Sequence, residues 1–186
     1  VHDLPPLTAL GGTTPLQDSI GPVTFTESPD WALASVAARL GQEEGCRTAL
    51  AAALGGAAPA IAAHVQGPDL GAFWTGPDIW MVEAPYHSHE TLALTLKAQL
   101  GDCASVTEQS DAWVRFDISG EGLEQVFARL CNLDLARMAA GTARRSVIEH
   151  LGCYVIRRAD GVHVYGPRSS ARSLHHALIS AARAVF

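Results

Sequence analysis

Lysine is almost missing from this chain. Lys97 stands alone, and every other permanently cationic side chain is an arginine. Charge of either sign is sparse: 17% of the 186 residues are Asp, Glu, Lys or Arg, below the roughly 25% usual in soluble domains. The net charge is −6, and no Lys/Arg run is interleaved with aromatic residues. Nucleic-acid binding needs a basic surface to neutralise phosphates, so it is excluded as an expectation. Attraction to an anionic membrane surface is excluded on the same ground. A surface with few charges is left neutral or apolar, and such surface often meets another protein. A bias toward alanine gives the same 48% hydrophobic content.

The four cysteines, Cys46, Cys103, Cys131 and Cys153, form no C-x-x-C pair, so zinc-finger and thioredoxin readings lack their signature. No apolar run reaches the 18 residues of a membrane-crossing helix. The segment Val1-His2-Asp3-Leu4-Pro5-Pro6 has neither a basic nor an apolar leader region. The expectation is a cytoplasmic protein whose thiols are reduced and mostly buried.

Phosphate-cradling and nucleophile motifs are missing too. There is no G-x-G-x-x-G, no G-x-x-x-x-G-K-[ST] and no G-x-S-x-G. His87-Ser88-His89-Glu90 is the densest polar cluster, but histidines two apart diverge on a strand or a helix and make a poor shared metal site. His175-His176 diverge likewise, and His150 and His163 have no carboxylate partner by spacing. Ser119-Gly120-Glu121-Gly122 reads as a helix N-terminus. The expectation is therefore no catalytic, cofactor-binding or metal-ligating residue in this chain.

Residues 1–22, rich in Pro, Gly and Thr, read as an extended arm. Val23 to Thr26 alternates as a strand. Ser28-Pro29-Asp30 looks like a helix start, with Trp31 to Leu40 at helical spacing. A second helix is expected over 43–54, ending at Gly55-Gly56. Phe73 to Val82 reads as strand, Gly-Pro-Asp turn, strand. A helix follows Ser88 and Thr91 and runs to Leu100. Strands at 104–109 and 112–118, a helix at 120–130 and an irregular connector at 133–141 come next. Strands at 145–149, 152–158 and 162–166 and a helix at 170–184 close the chain, with Asp160-Gly161 as a hairpin signal.

Over 79–149 this order is β-α-β-β-α-β, the split βαβ or ferredoxin-like plait. The flanks, 23–60 and 150–186, supply a second, discontinuous one. The expected fold is α+β, two fused ferredoxin-like units in a single compact body over 23–186. Trp74 and Trp80 flank a tight turn and are large enough to dominate a core or to stack on a ligand. Arginines gather in the C-terminal third, where a planar guanidinium suits a protein interface or a solvated face. Trp74, Trp80, Arg157, Arg168 and Arg172 are the candidate interface residues.

Several stretches resemble the gamma subunit of heterotetrameric sarcosine oxidase, a relative of the folate-dependent aminomethyltransferase fold. Trp74-Thr75-Gly76-Pro77-Asp78-Ile79-Trp80-Met81-Val82 is similar to that family's W-x-G-P-D-E-W-L-V. Leu130-Cys131-Asn132-Leu133-Asp134-Leu135 is similar to its G-C-P-L-D-L, with Asn132 and Leu130 replacing Pro and Gly. The region Ala104 to Asp134 and the ending from Tyr154 to Phe186 follow its order of parts. The resemblance implies a non-catalytic subunit of a complex that demethylates sarcosine to glycine, makes hydrogen peroxide and passes the one-carbon unit to tetrahydrofolate. It implies alpha, beta and delta subunits as partners, with FAD, FMN and NAD in alpha and beta and zinc in delta. Two other readings remain open. One is a stand-alone folate-binding or aminomethyl-transfer module, with Asp78, Asp111 and Asp117 as candidate pterin ligands. The other is an unrelated α+β interaction domain.

Overall fold

The computed structural model describes residues 6–186. In chain order the elements are β1 (Gln17–Ile20), β2 (Val23–Glu27), β3 (Trp31–Ala38), α1 (Glu43–Leu54), β4 (His64–Gln66), β5 (Gly71–Gly76), β6 (Ile79–Pro85), α2 (Leu92–Leu100), β7 (Ala104–Glu108), β8 (Trp113–Gly120), α3 (Leu123–Leu130), β9 (Ala143–Ile148), β10 (Leu151–Arg157), β11 (Gly161–Pro167) and α4 (Ala171–Arg183). They group into two compact units.

One unit is Asp30–Ser110 with Gly141–Arg144. Its sheet has the order β4-β5-β6-β3-β7. Helix α1 forms because Cys46, Leu50 and Leu54 repeat every fourth residue and make one buried stripe. It stops at Gly55, whose φ of +66° closes the last turn as an L side chain rarely can. Leu92, Leu96 and Leu100 give α2 its own buried stripe. Both stripes pack with Ala32, Ala34, Val36, Trp80 and Val82 into one core.

The segment Trp31 to Ala38, expected as a helix, is the strand β3. It lies between β6 and β7. Ala32, Leu33 and Ala34 are all buried in succession, as happens when both faces of a central strand are covered, so the run does not alternate. Consecutive small apolar residues then mimic helical spacing.

The other unit comprises the chain up to Pro29, Asp111–Ala140 and Arg145–Phe186. Its sheet has the order β1-β2-β8-β11-β10-β9. Val114, Phe116 and Ile118 of β8 alternate onto a core shared with Leu123, Val126 and Phe127 of α3 and Leu174 and Leu178 of α4. The second discontinuous part expected from 23–60 and 150–186 keeps only β2 of its first piece here, since residues 30–60 belong to the other unit.

The expected β-α-β-β-α-β order over 79–149 is present, but its strands divide between two sheets. β6 and β7 lie in one and β8 and β9 in the other. The polar turn between β7 and β8 therefore closes no hairpin: β7 pairs with β3, and β8 pairs with β2 and β11.

The expected arm is partly a strand. β1 turns at Ile20-Gly21-Pro22 and pairs antiparallel with β2. Residues 1–5 of that arm lie outside the described residues. Before β1, the Leu10 and Leu16 amides donate to the two carboxylate oxygens of Glu27, at 2.9 and 3.2 Å. Glu27 is 2% exposed, and these bonds satisfy a carboxylate that burial would otherwise penalise.

Candidate functional site

Strand alternation decides where the polar chemistry collects. In the β8–β11 pair, Val114, Phe116 and Ile118 face the helices, so Arg115 and Asp117 face the other side of the sheet. The register sets Tyr165 opposite Arg115 and His163 opposite Asp117. The four side chains meet across the two strands.

The Arg115 guanidinium grips the Asp117 carboxylate with two bonds, Nε to Oδ1 at 2.6 Å and Nη2 to Oδ2 at 3.2 Å. Ser28 Oγ donates to Asp117 Oδ2 at 2.7 Å. Arg115 Nη1 donates to the Tyr165 hydroxyl at 3.3 Å, and Nη2 lies 3.0 Å from His163 Nε2. A guanidinium only donates, so Nε2 accepts and the imidazole carries its proton on Nδ1. Arg115 is 5% exposed. Its charge is held by a carboxylate in the two-pronged geometry that favours arginine over lysine. The arrangement locks β2, β8 and β11 together across the sheet face.

The other unit buries a polar pair of its own. His64 Nε2 lies 2.9 Å from Glu83 Oε1, with the side chains 2% and 1% exposed. Gly71 stands opposite Glu83 in the register of β5 and β6. A side chain at position 71 would meet Glu83 Cγ and Oε1 at 2.9 Å. The backbone there makes room for the carboxylate.

The candidate interface residues fall in different settings. Trp80 is wholly buried and donates its indole N–H to the Pro59 carbonyl at 3.0 Å. It is a core residue and presents no surface to a partner, which corrects its candidacy. Trp74 pairs with Trp80 across β5 and β6 and is half-buried. Arg157 donates to the Gly161 carbonyl at 3.1 Å and lies 3.7 Å from Glu124. Arg168 and Arg172 donate to the carbonyls of Leu7 and Leu10, at 3.0 and 3.4 Å. These two arginines fasten the chain's own N-terminal segment, as does His175, 2.8 Å from Asp18.

An open surface depression of about 550 Å³ is lined by Glu149, Arg172, Ser173 and His176. Among the described residues, no three His, Cys, Asp or Glu side chains are grouped to hold a metal ion. His89 bonds its neighbour Ser88, and His87 sits in the short turn before α2. Of the three aspartates considered as pterin ligands, Asp117 is engaged by Arg115, and Asp78 is paired with Arg47 at 2.7 Å. Asp111 is exposed in the turn before β8. Burial pushes the thiols of Cys46 and Cys153 up to about 11, so both are protonated near neutrality and weak nucleophiles.

Arg115, Tyr165, His64, Glu83 and Glu27 were not singled out from the sequence as a set. The available signal was the i, i+2 spacing of Arg115 with Asp117 and of His163 with Tyr165. It needed the β8–β11 register to become a cluster.

No family model matches the sequence, and no curated protein matches it. Solved structures place the fold. The aminomethyltransferase T of the glycine cleavage system from Bartonella henselae superposes with a TM-score of 0.61 at 16% identity, over 84% of this chain and 45% of that one. The chain thus has an α+β fold related to the aminomethyltransferase-like family, and spans under half the length of that relative. A chain of the heterotetrameric sarcosine oxidase from Corynebacterium sp. U-96, solved with pyrrole 2-carboxylate, superposes with a TM-score of 0.76 at 23% identity. That match covers 86% of this chain and 83% of the oxidase chain.

Proposed function

We propose that this chain is a non-catalytic, gamma-type subunit of a cytoplasmic heterotetrameric sarcosine-oxidase-like complex, and that each of its two units is a ferredoxin-like plait. The observation that carries the reading is length-matched likeness. The oxidase chain is covered over 83% of its length, whereas the aminomethyltransferase is covered over 45%. The first unit supports the plait reading by its order β5-β6-β3-β7 with α1 and α2 as crossovers, and the second by β2-β8-β11-β10 with α3 and α4. In this reading the substrate and the cofactors FAD, FMN, NAD and zinc belong to alpha, beta and delta partners. This chain supplies docking surface, with Trp74, Arg157, Arg168 and Arg172 among its surface groups.

The test is co-expression with candidate alpha, beta and delta subunits, followed by size-exclusion chromatography and a sarcosine-dependent peroxide assay with and without this chain. Stoichiometric co-elution, with loss of assembly or activity on omission, is expected. Elution alone with full activity retained in its absence sinks the proposal.

The likeness to aminomethyltransferase T favours one alternative, a folate-binding module acting alone. Calorimetric titration of the isolated chain with tetrahydrofolate separates the two, since only the alternative requires heat of binding.

A further inference from the structure

The two ends of the two sheets are built alike, with one difference. β2 flanks β8, and β7 flanks β3, in matching registers: Val23, Phe25 and Glu27 stand opposite Gly120, Ile118 and Phe116. Ala104, Val106 and Glu108 stand opposite Ala38, Val36 and Ala34. In the sheet that holds β8, β1 covers the outer side of β2, and the Glu27 amide donates to the Leu16 carbonyl at 2.8 Å. In the other sheet β7 is the last strand.

The bonds at the ends of the β3–β7 ladder fix which groups face outward. The Arg39 amide donates to the Cys103 carbonyl and the Gln109 amide to the Leu33 carbonyl. Alternation then turns Ser105 and Thr107 toward β3, and leaves the amides and carbonyls of Ala104, Val106 and Glu108 facing away. The Ala104 carbonyl receives Lys97 Nζ at 3.1 Å. Ser105, Thr107 and Glu108 are exposed. Such an edge is a template for strand addition.

We propose that the β7 edge pairs antiparallel with the β7 edge of a second copy of this chain, about a two-fold axis through Val106. In that register Val106 meets Val106 of the other copy, and Ala104 meets Glu108. Each outward amide then faces an outward carbonyl. Alternation puts the side chains of Ala104, Val106 and Glu108 on one face, the face covered by α2, which carries Lys97 to the Ala104 carbonyl. Glu108 of one copy therefore arrives beside Lys97 of the other, twice over by symmetry. Among the described residues the carboxylate paired with Lys97 is that of Asp102 at 3.9 Å, whose side chain is 99% exposed, and the ammonium is otherwise held by the Gly101 and Ala104 carbonyls. The match of sequence to itself is what an isologous interface requires, and opposite charges set at neighbouring cross-strand positions favour that register. A single five-residue strand pair covers less surface than a stable dimer needs, so the association is reversible and concentration-dependent.

Sedimentation velocity across a wide range of concentration tests this on the full chain. The sedimentation coefficient of the wild type rises with concentration. Glu108→Lys, which sets like charges together, abolishes the rise, and the double exchange Lys97→Glu with Glu108→Lys restores it. Val106→Pro removes an outward amide and no β3 bond, and it also abolishes the rise, while circular dichroism reports that each variant is folded. Should a variant misfold, chains carrying Ser105→Cys are mixed with chains carrying Thr107→Cys. These positions lie opposite each other in the proposed register, and the mixture cross-links more than either chain alone. A wild-type coefficient that stays at the monomer value overturns the proposal. So does a dimer indifferent to charge reversal at position 108, or a cross-link with no preference for the mixed pair.

Discussion

Trp113 stands opposite Pro167 at the end of the β8–β11 ladder, and Trp31 stands opposite Pro85 at the end of the β3–β6 ladder. The two pairs are separated by the same 82 positions, 31 to 113 and 85 to 167. Each proline then opens a short 3₁₀ turn and a helix, with φ and ψ of −57° and 126° at Pro85 and −58° and 127° at Pro167. The chain is built on a repeat, and the flanking strands are exchanged within it. β7, which precedes the second copy, closes the sheet of the first. β2, which precedes the first copy, closes the sheet of the second.

That exchange makes a prediction about fragments. A chain of residues 111–186 lacks the strand that covers the edge of β8, and is expected to have little fixed structure. Adding a peptide of residues 6–29 restores β2 and the Glu27-bound segment. The far-UV signal of the mixture then exceeds the sum of its parts. A sum that is merely additive contradicts the exchange.

A two-unit organisation is legible in the order of elements, but the register of the repeat is not, because few side chains survive in both copies. Leu33 occupies the place of Arg115, and Glu83 that of Tyr165. Local elements were legible wherever periodicity and breakers agreed. The helix expected over 43–54 forms over Glu43–Leu54, and that expected over 170–184 forms over Ala171–Arg183. β3 was not legible, because burial on both faces removes alternation. The break between the strands expected at 145–149 and 152–158 is present at Glu149 and His150, but their φ of +48° and +68° uses none of the Asn-Gly chemistry that marks such turns. The Arg115 cluster depends on which strands pair, and pairing between residues far apart leaves no trace in a local window.

Glu27→Gln is expected to loosen the segment before β1. The amide keeps one acceptor oxygen but cannot serve both the Leu10 and Leu16 amides as the carboxylate does. Hydrogen bonds to a charged group contribute about 1.5–3 kcal/mol each. Hydrogen exchange at the Leu10 and Leu16 amides should accelerate well before global unfolding is affected. Unchanged protection at both sites would show that the carboxylate is not what fastens the segment.

Trp80→Ala and Trp74→Ala should separate sharply. Trp80 is fully buried and its indole N–H is bonded to Pro59, so truncation is expected to cost about 3–5 kcal/mol. Trp74 is half-buried, and its loss should be felt less in denaturant titrations of the isolated chain. A larger loss at Trp74 than at Trp80 would contradict the burial described above.

Alkaline pH should unfold the protein partly through its buried thiols. Cys46 and Cys153 are raised from 9.0 to about 11, chiefly by burial, which disfavours the thiolate. Below pH 9 the thiols are protonated in both folded and unfolded chains, and the stability they contribute is fully present. Between about 9 and 11 the unfolded chain releases protons that the folded chain keeps. The unfolded state then binds fewer protons, and stability falls as pH rises. Urea titrations at pH 8 and at pH 10.5 should therefore show a smaller loss in a Cys46→Ala, Cys153→Ala double variant than in the wild type. The variant begins less stable, because each alanine leaves space where sulfur was packed, so the quantity to compare is the change with pH. Equal slopes in the two proteins would mean that other groups, tyrosines included, carry the alkaline transition.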